Sequence, residues 1–192
     1  MKRFVFTPTI QHAITFAALA HGDQERKQGD IPYITHPLAV AMILATITED
    51  QDIIVAGILH DVLEDTPYLP ESIEDSFGIR VLRFVEAVTD EKRGINTWIE
   101  RKRNSIKKIL ESGHEAILIK SADCIHNMTD TIIYLNGTIP TPLFKFPRFT
   151  KNGEDRLVRY KEIIVSFENS WPQNPLKSQL ERAYTDLSRV WS

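Results

Sequence analysis

Along most of the chain, apolar residues recur every three or four positions, the spacing of one buried face of a helix. In "TPTIQHAITFAALAHGD" they fall at 10, 13, 14, 17 and 18, behind a proline near a helix start. "HPLAVAMILATIT" repeats the arrangement, with proline at the first helical position. "DQDIIVAGILHDVLEDT" predicts one helix stopped by Pro67, and "LPESIEDSF" another stopped by Gly78. "IRVLRFVEAVTD", "WIERKRNSIKKILESG", "HEAILIKSADCIHNMTDTIIYLNG", "GEDRLVRYKEIIVSFEN" and "NPLKSQLERAYTDLSRVW" follow as five more. No run alternates long enough to predict a strand, and no internal repeat is evident. The expected fold class is all-α, a single domain over 1–192 built as a bundle of about eight to ten helices. "NGTIPTPLFKFPRFTKNG" (136–153) breaks the pattern, and reads either as a loop beside the pocket or as a surface insertion.

"GILHDVLEDTP" (57–67) carries chemistry inside an apolar run. At about 100° per residue, His60, Asp61, Glu64 and Asp65 fall within an arc of roughly 140° on a helix. Three carboxylates and an imidazole therefore share a face with no Lys or Arg among them. The preceding "IIVAGIL" is apolar all round, which predicts a buried helix rather than a solvated end. Buried carboxylates this close repel unless a proton or a cation compensates, and a metal ion does so.

Partner ligands are expected at buried helix ends or on apolar helices. His36 in "YITHPLAVA" precedes a proline-started helix. Asp123 interrupts the apolar "ILIKSADCI", with Asn127 one turn on along the same face. A lone buried aspartate there is costly without a partner, the signature of a metal ligand or a buried ion pair. Two His and two Asp leave a divalent site neutral and suit Mn²⁺ better than a cysteine-rich zinc site. His12, His21 and His114 have weaker claims, the first two reading as helix-face residues without chemistry. His126, three residues past Asp123, also has a weaker claim, a supporting place beside the ligands being the lesser of its readings.

Composition narrows the setting. Of 192 residues, 26% are charged and the net charge is −3, against a general nucleic-acid binder but compatible with a locally basic pocket. The single cysteine, Cys124, excludes an internal disulfide and fits a reducing compartment. "MKRFVFTPTI" lacks the apolar run of a signal peptide, and no segment approaches the roughly 20 apolar residues of a membrane span. A cytoplasmic protein without a membrane segment is expected. Oligomeric state is not readable.

With His36, the His60-Asp61 pair and Asp123 together, the chain resembles the HD-domain metal-dependent phosphohydrolases. Reading outward, "ERKQGDIPYITHPLAVA", "GILHDVLEDT", "SIEDSFGIRVLRFVEAVTDEK", "ERKR" and "IKSADCIHNM" are similar to successive motifs of the hydrolase domain of RelA/SpoT homologues. The resemblance covers roughly residues 5 to 165. One further helix follows where a bifunctional member continues into a synthetase domain, so a stand-alone small alarmone hydrolase without a synthetase domain is expected. The resemblance implies a (p)ppGpp substrate that loses its 3′-pyrophosphate. It makes His36, His60, Asp61 and Asp123 the metal ligands and Glu64 and Asp65 the catalytic acidic pair. It places Arg26 against the purine face, with Lys27 beside it, and gives Asn127, Arg156 and Tyr160 substrate contacts. Cys124 departs from the family, which has a basic residue there.

A divalent ion would acidify water and polarise phosphoryl oxygens, with Glu64 and Asp65 placed to orient or deprotonate the water. Lys27, Lys120, Arg101, Arg103, Lys107 and Lys151 are candidates to neutralise the pyrophosphates, although "ERKRNSIKK" reads equally as a solvated helix face. Hydrolysis of an adenosine-based alarmone or of NADPH shares the same chemistry. A regulatory module that binds alarmone without cleaving it is the alternative of another class.

Overall fold

The computed structural model describes residues 5–26, 31–90, 98–136 and 153–191. Among them are ten helices and no strand, only an isolated bridge between Glu25 and Pro32. In order they are α1 (Pro8–His21), α2 (Thr35–Ala45), α3 (Gln51–Leu59), α4 (Val62–Asp65) and α5 (Pro70–Phe77). Then come α6 (Ile79–Val88), α7 (Trp98–Ser112), α8 (His114–Leu135), α9 (Gly153–Ser170) and α10 (Lys177–Trp191). The all-α expectation holds.

The first helix begins where its chemistry directs: Pro8 takes the first turn, and the Thr7 hydroxyl accepts from the Ile10 amide at 3.2 Å. At the centre lies α3, buried continuously from Ile53 to Leu59 and packed by α1, α2 and α6. A helix apolar all round has no solvent face to offer, so neighbours enclose it. The other internal helix, α8, contacts α2, α6, α7 and α10. It starts after Gly113, whose φ of +102° lets the chain turn sharply out of α7.

One predicted helix is interrupted. The apolar run through 51–65 is continuous, but regular helix stops at Leu59 and resumes at Val62. The His60 ring explains the break. Its Nδ1 donates to the Gly57 carbonyl at 2.9 Å, using an acceptor that a continuing helix would offer to the Asp61 amide. His60 and Asp61 thereby sit in a short irregular step between two helices.

Gly57 is also where α3 and α2 approach most closely. A Cβ there would stand 2.5 Å from Leu44 Cδ1 and 3.6 Å from Val40 Cγ1. Leu44 is fully buried and has no free volume to enter. Gly57→Val is expected to destabilise the protein by on the order of 3 kcal/mol through overpacking. Thermal unfolding would check this, and an unchanged midpoint would mean that α2 and α3 separate freely.

Candidate active site

Four polar side chains from three parts of the fold meet beside this irregular step. His36 comes from the first turn of α2, His60 and Asp61 from the step, and Asp123 from the middle of α8. His36, His60 and Asp123 are only 1%, 3% and 6% exposed, so their polar atoms must be satisfied by one another or by a ligand. His36 Nε2 lies 3.2 Å from His60 Nε2, 3.4 Å from Asp61 Oδ2 and 3.3 Å from Asp123 Oδ1. His60 Nε2 is 3.2 Å from Asp61 Oδ2 and 3.9 Å from Asp123 Oδ1.

Hydrogen bonds on the far sides of the rings decide what these atoms offer. Because the Gly57 carbonyl only accepts, His60 Nδ1 carries a proton, and the neutral ring presents a lone pair at Nε2. His36 Nδ1 sits 2.7 Å from His126 Nδ1, so one ring donates to the other. The tautomer in which His36 Nδ1 is the donor leaves its Nε2 as a lone pair as well. Burial and the neighbouring His36 lower the His126 pKa to about 4, which keeps that ring neutral. Two imidazole lone pairs and an Asp61 oxygen then lie within 4.8 Å of one another, with Asp123 Oδ1 3.3 Å from His36 Nε2 at their side, a donor set that fits a borderline divalent cation.

The electrostatics agree. Burial alone would strip the proton from His60, but Asp61 and Asp123 outweigh it and raise its pKa to about 9. Burial likewise opposes ionisation of Asp61 and Asp123, yet the histidines, and Lys120 beside Asp123, hold both well below the usual carboxylate range. A proton and a divalent cation therefore compete for the same lone pairs.

A ring of supporting residues orients the four. The Tyr33 hydroxyl lies 2.7 Å from Asp61 Oδ2 and 3.0 Å from Asp65 Oδ2, bridging the corner to the acidic pair. Lys120 Nζ contacts Asp123 Oδ2 at 2.7 Å, and the Asn127 amide donates to Asp123 Oδ1. Gln24 donates to the Asp65 carbonyl at 2.7 Å and accepts from His21 Nδ1 at 2.9 Å. His21 is thus no plain helix-face residue: it is buried, and its ring packs 4.6 Å from Tyr33. The alternating helix pattern cannot reveal this, since the contact is made by the loop that follows α1.

The acidic pair is split in its partners. Asp65 meets Tyr33, while Glu64 Oε2 accepts from the Asp90 amide at 3.1 Å. Desolvation and the Asp90 carboxylate raise the Glu64 pKa above its ordinary value, although the Asp90 amide pulls the other way.

A cleft of about 610 Å³ opens over this corner. Arg26, Asn127, Arg156 and Tyr160 all line it, as does Arg159, which the sequence did not single out. Burial pushes the Cys124 thiol, also on the wall, up to about 12, so it stays protonated. Arg101, Arg103 and Lys107 do not line the cleft, and Lys107 instead faces Glu111 at 3.8 Å on the outer side of α7. Lys120 lines it, but its charge is already directed at Asp123. His12 packs beside Phe77 and His114 stacks on Trp171, both away from the corner. Lys27, Lys151 and most of the 136–153 loop fall outside the described residues.

An all-α bundle with a buried His/His-Asp/Asp corner defines a class, and comparison with known proteins agrees: residues 13–132 match the HD domain. The chain belongs to the HD-domain family. The mouse guanosine-3′,5′-bis(diphosphate) 3′-pyrophosphohydrolase MESH1 is 41% identical over 135 residues, covering 69% of this chain and 72% of the mouse protein. The Aquifex aeolicus guanosine-3′,5′-bis(diphosphate) 3′-pyrophosphohydrolase is 43% identical over 121 residues, 62% of this chain but only 17% of that longer protein. A solved structure described as a metazoan orthologue of SpoT that hydrolyses ppGpp superposes with a TM-score of 0.75 at 28% identity. That superposition covers 95% of this chain and 97% of the other.

Proposed function

We propose that this chain is a divalent-cation-dependent hydrolase that removes the 3′-pyrophosphate of (p)ppGpp, giving GDP or GTP and pyrophosphate. The observation that carries the reading is the meeting of His36, Asp61 and Asp123, each within 3.9 Å of His60, at the floor of a cleft whose walls carry Arg26, Arg156 and Arg159. The pyrophosphohydrolase activity of the relatives supports the choice of substrate.

His36, His60, Asp61 and Asp123 would hold the cation, and Mn²⁺ fits their two-nitrogen, two-oxygen chemistry. When bound, it would supply positive charge to the phosphoryl oxygens and acidify water. Water attacks the phosphorus joined to the ribose 3′ oxygen and that phosphorus–oxygen bond breaks; the 3′ oxygen leaves and takes a proton from solvent, and pyrophosphate carrying the water's oxygen is released. Glu64, whose pKa is raised, takes the water's proton, while Asp65, steadied by Tyr33, orients the water. Arg26 lies against the purine, as argued below. Asn127, Arg156 and Tyr160 contact sugar and phosphate from the cleft wall, and Lys27, next to Arg26 in the sequence, adds positive charge.

The reaction needs a small nucleotide and neither nucleic acid nor a membrane. No helix of the described residues is long and apolar enough to cross one. The single buried cysteine and the nucleotide substrate support a cytoplasmic location. We take residues 1–192 as one hydrolase domain.

The test is turnover of ppGpp, ppApp and NADPH by the purified protein with and without Mn²⁺. Release of pyrophosphate from ppGpp is expected, lost on exhaustive chelation and restored by Mn²⁺ more fully than by Mg²⁺. Full turnover after chelation would overturn the cation requirement. Cleavage of only ppApp or NADPH would move the substrate to that nucleotide.

A further inference from the structure

Arg26 is held, and the residue that holds it has no part in the chemistry described so far. Its Nε and Nη2 lie 3.3 Å and 2.9 Å from Asp130 Oδ2, and Nη2 also donates to Asn127 Oδ1 at 2.9 Å. The Arg26 side chain is only 9% exposed, so this is no solvated loop pair. Its backbone is fixed too, with the amide donating to the Ile31 carbonyl at 2.8 Å.

Asp123, Asn127 and Asp130 stand at i, i+4 and i+7 on α8, one stripe along one face. Asn127 donates to Asp123 and accepts from Arg26, so the stripe is hydrogen-bonded end to end. A guanidinium clamped through its edge in this way does not spend a flat face on its ion pair. One face is backed by the Tyr33 ring, 5.5 Å from Cζ, and the residue borders the cleft. Asp130 also neutralises the charge that would draw Arg26 toward a phosphate. A neutral, edge-clamped plane suits an aromatic base better than an anion, whereas a free arginine favours the anion.

We infer that Asp130 is a positioning residue for nucleobase recognition: it sets the plane of Arg26 and diverts its charge, so that this end of the cleft takes a purine rather than a phosphate. The inference rests on the nucleotide hydrolase reading, and its own test separates the two.

Asp130→Asn keeps the size of the side chain but removes the charge. KM for ppGpp is expected to rise about tenfold, the scale of one lost arginine–ring contact. The kcat, the Mn²⁺ affinity and inhibition by inorganic pyrophosphate, which has no base, are expected to stay within about twofold of wild type on a ladder where 1.4 kcal/mol is tenfold. In an Arg26→Ala background the same substitution is expected to change nothing, because Asp130 acts through Arg26. An unchanged KM would overturn the inference, as would an equal rise in the Arg26→Ala background. A merely structural role would lower the melting temperature and kcat together without a selective KM effect. If wild type fails to cleave ppGpp, the functional reading falls, and GDP binding by calorimetry decides for Asp130: equal affinity in wild type and Asp130→Asn would overturn it.

Discussion

His60→Ala is expected to abolish turnover and divalent-cation binding together, and Asp61→Asn to do the same with its shape retained. His60 Nε2 and Asp61 Oδ2 lie 3.2 Å apart and each within 3.4 Å of His36 Nε2, and among the described residues these three form the group whose ligand atoms close together. Losing a supporting residue around a metal site typically costs about 10–100-fold in affinity or activity, and losing a ligand costs more. The histidine variant also frees the Gly57 carbonyl, so α3 is expected to run on regularly into α4. Helical content should therefore be kept or rise slightly. Isothermal calorimetry with Mn²⁺ beside circular dichroism distinguishes a lost site from a lost fold. A folded variant that still binds Mn²⁺ with wild-type affinity would place the site elsewhere.

The helices are legible in the sequence because each must present a continuous apolar face to α3 or α8, and that demand writes a period into the chain. The break after Leu59 leaves no such mark. Apolar residues continue through Val62 and Leu63, and the interruption depends on one ring nitrogen choosing a backbone carbonyl. His36, His60, Asp61 and Asp123 are legible for the opposite reason: each is a polar residue placed where only apolar ones are cheap. Tyr33 is different. A tyrosine in a loop has many uses, and nothing in "PYITH" tells that its hydroxyl spans Asp61 and Asp65. Asp130 had a signal, since it continues the Asp123–Asn127 stripe by one more turn. Without Arg26 beside it, though, that position reads as a solvated carboxylate.

The acidic pair gives the last test, because two adjacent carboxylates that the sequence treats alike have different surroundings. Glu64 faces the Asp90 amide and carboxylate and is partly desolvated, which raises its pKa. Asp65 is tied to the Tyr33 hydroxyl, a contact that holds its direction. A proton acceptor works best when its pKa approaches the working pH, so the proposed mechanism gives the proton to Glu64. Glu64→Gln keeps the size and can still accept from the Asp90 amide, but it cannot take a proton. Its kcat is expected to fall by on the order of 10² or more, the usual scale for losing general-base help. Mn²⁺ affinity should survive, in contrast to the His60 and Asp61 variants. In wild type, kcat should fall as pH drops through the raised Glu64 pKa, because only the carboxylate accepts the proton. That acid limb should lie above the ordinary glutamate value of about 4.3 and vanish in Glu64→Gln. Weak Mn²⁺ binding by this variant would instead make Glu64 a ligand, and an unchanged acid limb would hand the proton to Asp65.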